Sequence, residues 1–355
     1  MTMTTTRTVL AAAVLLLVAS ALTGCATVAG TANAPRVGLL LPDSVTSRYE
    51  AADKPYFEAK LHALNPRATV LYANADGDAG KQLQQAESML TQGVNVLVLD
   101  PYDSAAAASI VTEATAKHVP VISYDRLIAG GGAQYYISFD NERVGELQAQ
   151  ALVDKLKSDG VPAGSGIVMV NGSPTDNNAK LFKQGAHKII DPSGYTVLGE
   201  FDAPGWEPSK AQDWVSGQVT KFGAKITGVY AANDAVAGGA IAALKAAGMT
   251  TVPPVTGQDA ELAGIQRILA GSQYMTVYKT IKPEAEKAAE IALRLAKGEK
   301  PKGDTVVDGV QSTLLVPVAV TADTIQSTIV KDGFYAAAQI CTSAYRAACA
   351  VAGVK

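Results

Sequence analysis

Cysteine is scarce in this chain, with three residues in 355, at positions 25, 341 and 349. If one of them serves another purpose, a single bridge is all that remains to be formed. Histidine is equally rare, and His62, His118 and His187 lie in helical stretches or at a helix end, away from the polar clusters described below. Basic runs are missing too. Lys and Arg number 30 against 33 Asp and Glu, a net charge of −3, so the electrostatic footprint that nucleic-acid binding needs is absent. No Ser or Cys stands in a nucleophile-elbow context, and Gly238-Gly239 lacks the Lys and Ser/Thr of a phosphate loop. Asn74-Ala-Asp-Gly-Asp78 opens like a calcium loop, but Ala79 occupies the required Gly position and Gln85 the bidentate Glu position. It reads as a turn and helix cap, and neither a metal nor a cofactor is called for. What is present is apolar: 48% hydrophobic and 18% charged residues, a globular composition in a chain long enough for two domains.

The N-terminus reads as an export signal. Arg7 precedes the apolar run Val9–Leu22, which is short for a mature membrane span. It meets Leu22-Thr-Gly-Cys25, which looks like a bacterial lipobox. Residues 1–24 are therefore expected to be a lipoprotein signal peptide, with Cys25 lipidated and 25–35 a small, polar tether. Cys341 and Cys349 then form an even pair in an exported protein, where a disulfide is natural. On one continuous helix they would lie about 12 Å apart at about 1.5 Å rise per residue, beyond bridging reach. The pair calls for a bent tail, the alternative being two free thiols.

From Arg36 onward strand and helix alternate. Val37–Leu41, Thr69–Tyr72, Val94–Leu99 and Val121-Ile122 are apolar strands, with helices over Tyr56–Leu64, Lys81–Leu90 and Ala105–Lys117 between them. The theme restarts after Ser138-Phe-Asp-Asn141 with a helix through Leu156. Strands follow at Ile167–Val170, Tyr195–Leu198, Val229–Ala231, Val255 and Met275–Val277. Helices follow at Ala179–Ile190, Pro208–Phe222, Val236–Ala247, Leu262–Leu269 and Pro283–Lys297. Continuous apolar strands separated by helices predict parallel sheets covered on both faces. Two such units predict two lobes, with the chain crossing between them near Phe139–Glu142, near Tyr278 and near Ser312.

Five strands end in clusters of hydrogen-bonding side chains: Asp125-Arg126, Ser173–Asn178, Asn233-Asp234, Gln258-Asp259 and Lys279. Asp and Asn are favoured helix caps, and one such residue needs no other explanation. Five at one kind of location would line a crevice at the carboxyl ends of the strands, where α/β sheets bind ligands. A hydroxyl donates once and accepts twice, so carboxylates, amides and a guanidinium together suit a neutral polyol. Trp206, in a Gly/Pro loop, and Tyr49, beside Arg48, are candidate aromatic faces for a sugar ring; a packing role is the alternative for Trp206.

The segments Tyr136–Gln148, Gly172–Phe182, Asn233–Ile241, Gly257–Ile265 and Met275–Lys279 closely resemble the D-xylose-binding proteins of bacterial ABC importers, over about Arg36 to Tyr335. The resemblance implies a two-lobed type I periplasmic-binding-protein fold, each lobe a parallel sheet flanked by helices, with a hinge of about three crossings. The lobes would be 36–140 plus 280–312 and 141–279 plus 313–355. Carried over by motif, the sugar contacts are Arg48, Asp125, Arg126, Asp176, Asn178, Asn233, Asp259 and Lys279, with Trp206 stacking on the ring; Tyr49 stands as a candidate by its position alone. Around the first strand the family pattern has more acidic residues, whereas Pro42–Tyr49 keeps one Asp and has Tyr after Arg48.

The implied partners are a monosaccharide, D-xylose first, and the permease and ATPase subunits of an importer. The membrane is met through the lipid anchor, on the outer face of the cell membrane, by a monomer. Arabinose, ribose or glucose, or a chemosensory role, are alternatives. Paired carboxylates could cleave a glycoside, but Asp125 adjoins Arg126 and Asp259 follows an amide, surroundings that keep both ionised. An enzyme is not expected. A sugar-responsive repressor would need a DNA-binding headpiece where the signal peptide stands.

Overall fold

A computed structural model describes residues 34–130, 132–249 and 251–355; the expected signal peptide, Cys25 and most of the expected tether lie outside the described residues. The first half alternates as its hydrophobic pattern dictates: β1 (Arg36–Leu41), α1 (Lys54–Leu64), β2 (Thr69–Asn74), α2 (Ala79–Thr91), β3 (Val96–Leu99), α3 (Ala108–Ala116), β4 (Val121–Tyr124) and β5 (Tyr135–Phe139). The second series is α4 (Asn141–Ser158), β6 (Gly166–Asn171), α5 (Asn177–Ile190), β7 (Thr196–Asp202), α6 (Pro208–Phe222), β8 (Ile226–Ala231), α7 (Asp234–Ala246), α8 (Leu262–Leu269) and β9 (Thr276–Tyr278). Then come α9 (Ile281–Ala296), β10 (Thr305–Val307), β11 (Val310–Leu315), β12 (Val318–Val320), α10 (Ala337–Ile340) and α11 (Arg346–Ala352).

Four helices start on side-chain caps. Asp78, Asp140, Asp176 and Asn233 each accept a backbone N–H from the first turn of α2, α4, α5 and α7, satisfying a donor the helix leaves open. Asp78 thus caps a helix, and Asp76 of the same turn pairs with Lys81. The α3 helix begins at Ala108 rather than Ala105, because the Asp103 carboxylate takes the N–H groups of Ala105 and Ala106 in a turn.

The first sheet has the order β10-β11-β5-β4-β3-β1-β2 and is parallel except for the β10–β11 hairpin. Its two faces carry separate apolar layers, one packed on α1 and α9, the other on α2 and α3. In the second, β7-β6-β8 are parallel. Bridges Val229–Val255 and Gln258–Val277 carry that sheet on to β9, which pairs antiparallel with β12. Strand β11 stays beside β5 as far as Leu315, so the last passage between sheets lies at 316–317, a little beyond the expected position near Ser312. Residues Pro35–Lys355 form one compact unit.

The tail bends. Residues 341–345 break the helix between α10 and α11, and Cys341 and Cys349 are bonded with their Cα atoms 5.9 Å apart. Ile340, Cys349 and Val354 pack with Ala260, Ile265 and Tyr278 in a small core of their own.

Candidate functional site

Strand β4 ends in Asp125-Arg126, and both side chains are buried. Asp125 takes a left-handed backbone, φ 54°. Its carbonyl accepts from the Ser138 hydroxyl, from Tyr136 Oη and from Asn178 Nδ2 at 3.0 Å. Three donors on one carbonyl are what hold an L residue in that region. The Asp125 carboxylate turns inward, 3.3 Å from both Arg48 Nη1 and Lys279 Nζ. Arg126 donates to Tyr49 Oη at 2.9 Å, pairs with Asp176 at 3.0 Å, and has Asp43 and Asp100 at 3.5 and 3.6 Å.

The facing wall comes from the second sheet. Asp176 caps α5 with one oxygen through the Asn178 N–H, and with the other accepts from Trp206 Nε1 at 3.0 Å. Trp206 is 4% exposed and edge-on to Phe182, its ring centroid 6.2 Å away. Gly172 makes room for it: a Cβ there would lie 2.0 Å from the indole. Asn233 caps α7, and Gln258 and Asp259 occupy the turn after the strand-like bridge at Val255. Lys279, at the end of β9, reaches across to sit between Asp125 and Asp259, at 3.3 and 3.6 Å.

Together Thr46, Tyr49, Asp125, Arg126, Asp176, Asn178, Phe182, Trp206, Asn233, Gln258, Asp259 and Lys279 line one polar cavity. Gln258 Oε1 and Asp259 Oδ1 are buried with no hydrogen-bond partner among the described residues. Unpaired buried acceptors are costly, and a wall that keeps two of them is built to receive donors.

Charge around the cavity is lopsided. Asp43, Asp53, Asp100, Asp125, Asp176, Asp259 and Glu284 are buried with only Arg48, Arg126 and Lys279. Burial pushes Asp100 and Glu284 well above the usual carboxylate range, and neither Asp100 oxygen has a hydrogen-bond partner among the described residues. Burial works against the Asp125 charge as well, but Arg48, Lys279 and Arg126 outweigh it and hold its pKa down at about 2. The site therefore keeps Asp125 ionised, whereas burial pushes Asp176 in the same wall upward against the pull of Arg126.

A family model described as a periplasmic binding protein domain matches residues 37–300. The chain belongs to the periplasmic binding protein family. A D-xylose-binding periplasmic protein of Escherichia coli K12 is 43% identical over 316 residues, covering 87% of this chain and 93% of that protein. One of Haemophilus influenzae is 39% identical, covering 84% and 90%. Among solved structures, a solute-binding protein of an ABC transporter from Clostridium phytofermentans with bound β-D-glucose superposes with a TM-score of 0.79 at 27% identity, covering 86% and 99%.

Nine of the ten candidate contacts of this periplasmic binding protein line the one cavity; Arg48 does not. Its guanidinium lies behind the wall, gripped by Asp53 at 2.6 and 2.9 Å and by Glu284 at 2.8 Å, with Nη1 left for Asp125. Trp206 faces the cavity, but its indole N–H is committed to Asp176. Thr46 and Phe182 line the cavity from outside the five strand-end clusters, and Gln258 lines it from the cluster it shares with Asp259. Phe182 reads as a core position of α5, and Gln258 was visible only as the neighbour of Asp259.

Proposed function

We propose that this chain captures D-xylose outside the cell, tethered by a lipid on Cys25, and hands it to an ABC permease with its ATPase. One observation carries the sugar reading: charged and amide side chains from both sheets converge on a single cavity that keeps two acceptors unpaired. The 43% identical relative is named for D-xylose, which favours that sugar, and the lipobox-like Leu22–Cys25 favours the anchor.

The mechanism follows from differential affinity. Sugar held by one wall gains hydrogen bonds from the other only when the lobes meet, and that gain drives closure. A hydroxyl missing or misplaced leaves Asp259 or Gln258 unpaired in a dry site, at about 1–3 kcal/mol per group. An extra hydroxymethyl is rejected by want of room instead. Glucose remains the second reading, since the related solved structure holds it.

The test is a thermal-shift screen of pentoses and hexoses followed by calorimetry and recovery of the sugar. Because a ligand stabilises by RT ln(1 + [L]/Kd), D-xylose should raise the midpoint most and come back unchanged. No shift with any monosaccharide would remove the reading, and chemical conversion would replace it with an enzyme.

A further inference from the structure

Two cavity acceptors, Gln258 and Asp259, sit on a turn that its own residues do not favour. Asp259 and Ala260 have φ of 90° and 51°, in the left-handed region that L side chains avoid. The turn is held from outside, peptide by peptide. The Gln258 carbonyl accepts the Asp234 N–H at 2.9 Å, and the Asp259 N–H goes to Val277. The Ala260 N–H reaches the Thr276 hydroxyl at 3.2 Å, which itself donates to Asp234 Oδ2 at 3.0 Å. The Glu261 N–H donates to the same Oδ2 at 2.8 Å. Gln273 Nε2 supplies Oδ1 at 2.6 Å, and Arg267 clamps the Asp234 carbonyl.

Asp234 is fully buried and does not line the cavity, yet it directly follows Asn233, which does. Two glycines make the arrangement possible. A Cβ at Gly257 would lie 2.0 Å from Asp234 Oδ1, and one at Gly264 2.3 Å from Oδ2. All three hydrogen bonds this carboxylate accepts come from the turn and its supports.

We propose that Asp234 is the positioning residue of the sugar site: it ties the Gln258–Glu261 turn to the start of α7, fixing the spacing between Asn233 and Asp259. The proposal deepens the sugar-binding reading and rests on it for its consequence, though not for its geometry. A side chain that merely stabilised the second lobe would act on the lobe as a whole. A positioning residue acts on one turn and on the ligand that turn receives.

Hydrogen exchange on the full-length protein without sugar separates the two. In Asp234→Asn the Ala260 and Glu261 amides should exchange at least tenfold faster while β6 and β8 keep their protection. D-xylose should then bind at least tenfold more weakly. Thr276→Val, which removes the bridging hydroxyl and leaves the carboxylate, should show the same pattern more mildly, and it decides alone if Asp234→Asn does not fold. Unchanged turn amides, or exchange that quickens evenly through β6 and β8, would overturn the proposal. A wild-type protein with a protected turn that ignores D-xylose and every other monosaccharide would instead sink the sugar reading, with the exchange data still deciding the positioning.

Discussion

Asp259 and Arg126 look alike in the sequence, each a polar residue at the end of a strand, but they are embedded differently. Asp259 Oδ1 has no hydrogen-bond partner among the described residues, and its cations are 3.6 and 3.9 Å away. Asp259→Ala should therefore weaken D-xylose binding at least tenfold while changing stability by less than about 1 kcal/mol. Arg126 has Asp43, Asp100 and Asp176 around it. Arg126→Ala strands buried carboxylates and should cost about 3–5 kcal/mol of stability besides abolishing binding. Denaturant melts with calorimetry distinguish the pair; equal stability losses would contradict the difference in embedding. Local sequence announced which residues end the strands, because a polar residue after an apolar run is conspicuous. It could not reveal what stands behind them. Asp53, Asp100 and Glu284 come from three separate segments, and only folding brings them to Arg48 and Arg126, which is why the ion pairs that hold Arg48 were not legible in the sequence.

Strands and helices were legible wherever their own periodicity decided them; α6 and α8 begin and end where the pattern placed them. The β10–β11 hairpin was not, although Asp308-Gly309, with φ of 46° and 79°, is the turn such a hairpin prefers. Strand–helix alternation masked it. Also illegible was how closely α4 and α5 approach. A Cβ at Gly145 would lie 1.9 Å from the Phe182 carbonyl, and one at Gly185 2.0 Å from that of Glu142. Gly145→Ala should push α5 outward, carrying Phe182 and Asn178 with it. A loss of about 1–3 kcal/mol together with weaker sugar binding is expected, and full affinity would show that α5 seats these residues independently of α4. The tail makes a separate test of its element. Its disulfide closes a short loop, so Cys341→Ser with Cys349→Ser should cost about 2–3 kcal/mol. Because the tail core includes Ala260 and Tyr278, the loss should appear in the main unfolding transition and not as a separate early one.

At the scale of the whole molecule, the buried carboxyls set how stability follows pH. Burial raises Asp234 to about 7 and Glu261 to about 8, and pushes Asp100, Asp176 and Glu284 upward as well. In the unfolded chain these groups titrate near pH 4. Between about pH 4 and 8 the folded protein therefore holds protons that the unfolded chain has released, and stability falls as pH rises through that window. The contribution of Asp234 and Glu261 is complete below about pH 4 and gone above about pH 8. His187 adds the same sign: burial lowers its pKa, but Asp191 and Glu200 raise it further, so stability is again lost as pH rises. Asp125 runs the other way. Held at about 2, it stabilises above about pH 4 and loses that contribution as the pH falls toward 2. The two trends cross on the acid side. Thermal unfolding followed by circular dichroism, without sugar, should give its highest midpoint near pH 4–5 and decline steadily to pH 8. Glu261→Gln should flatten the decline, since it removes one of the titrating groups. A midpoint that instead climbs from pH 5 to 8 would mean that these carboxyls fold as anions, with the three donors on Asp234 outweighing its burial.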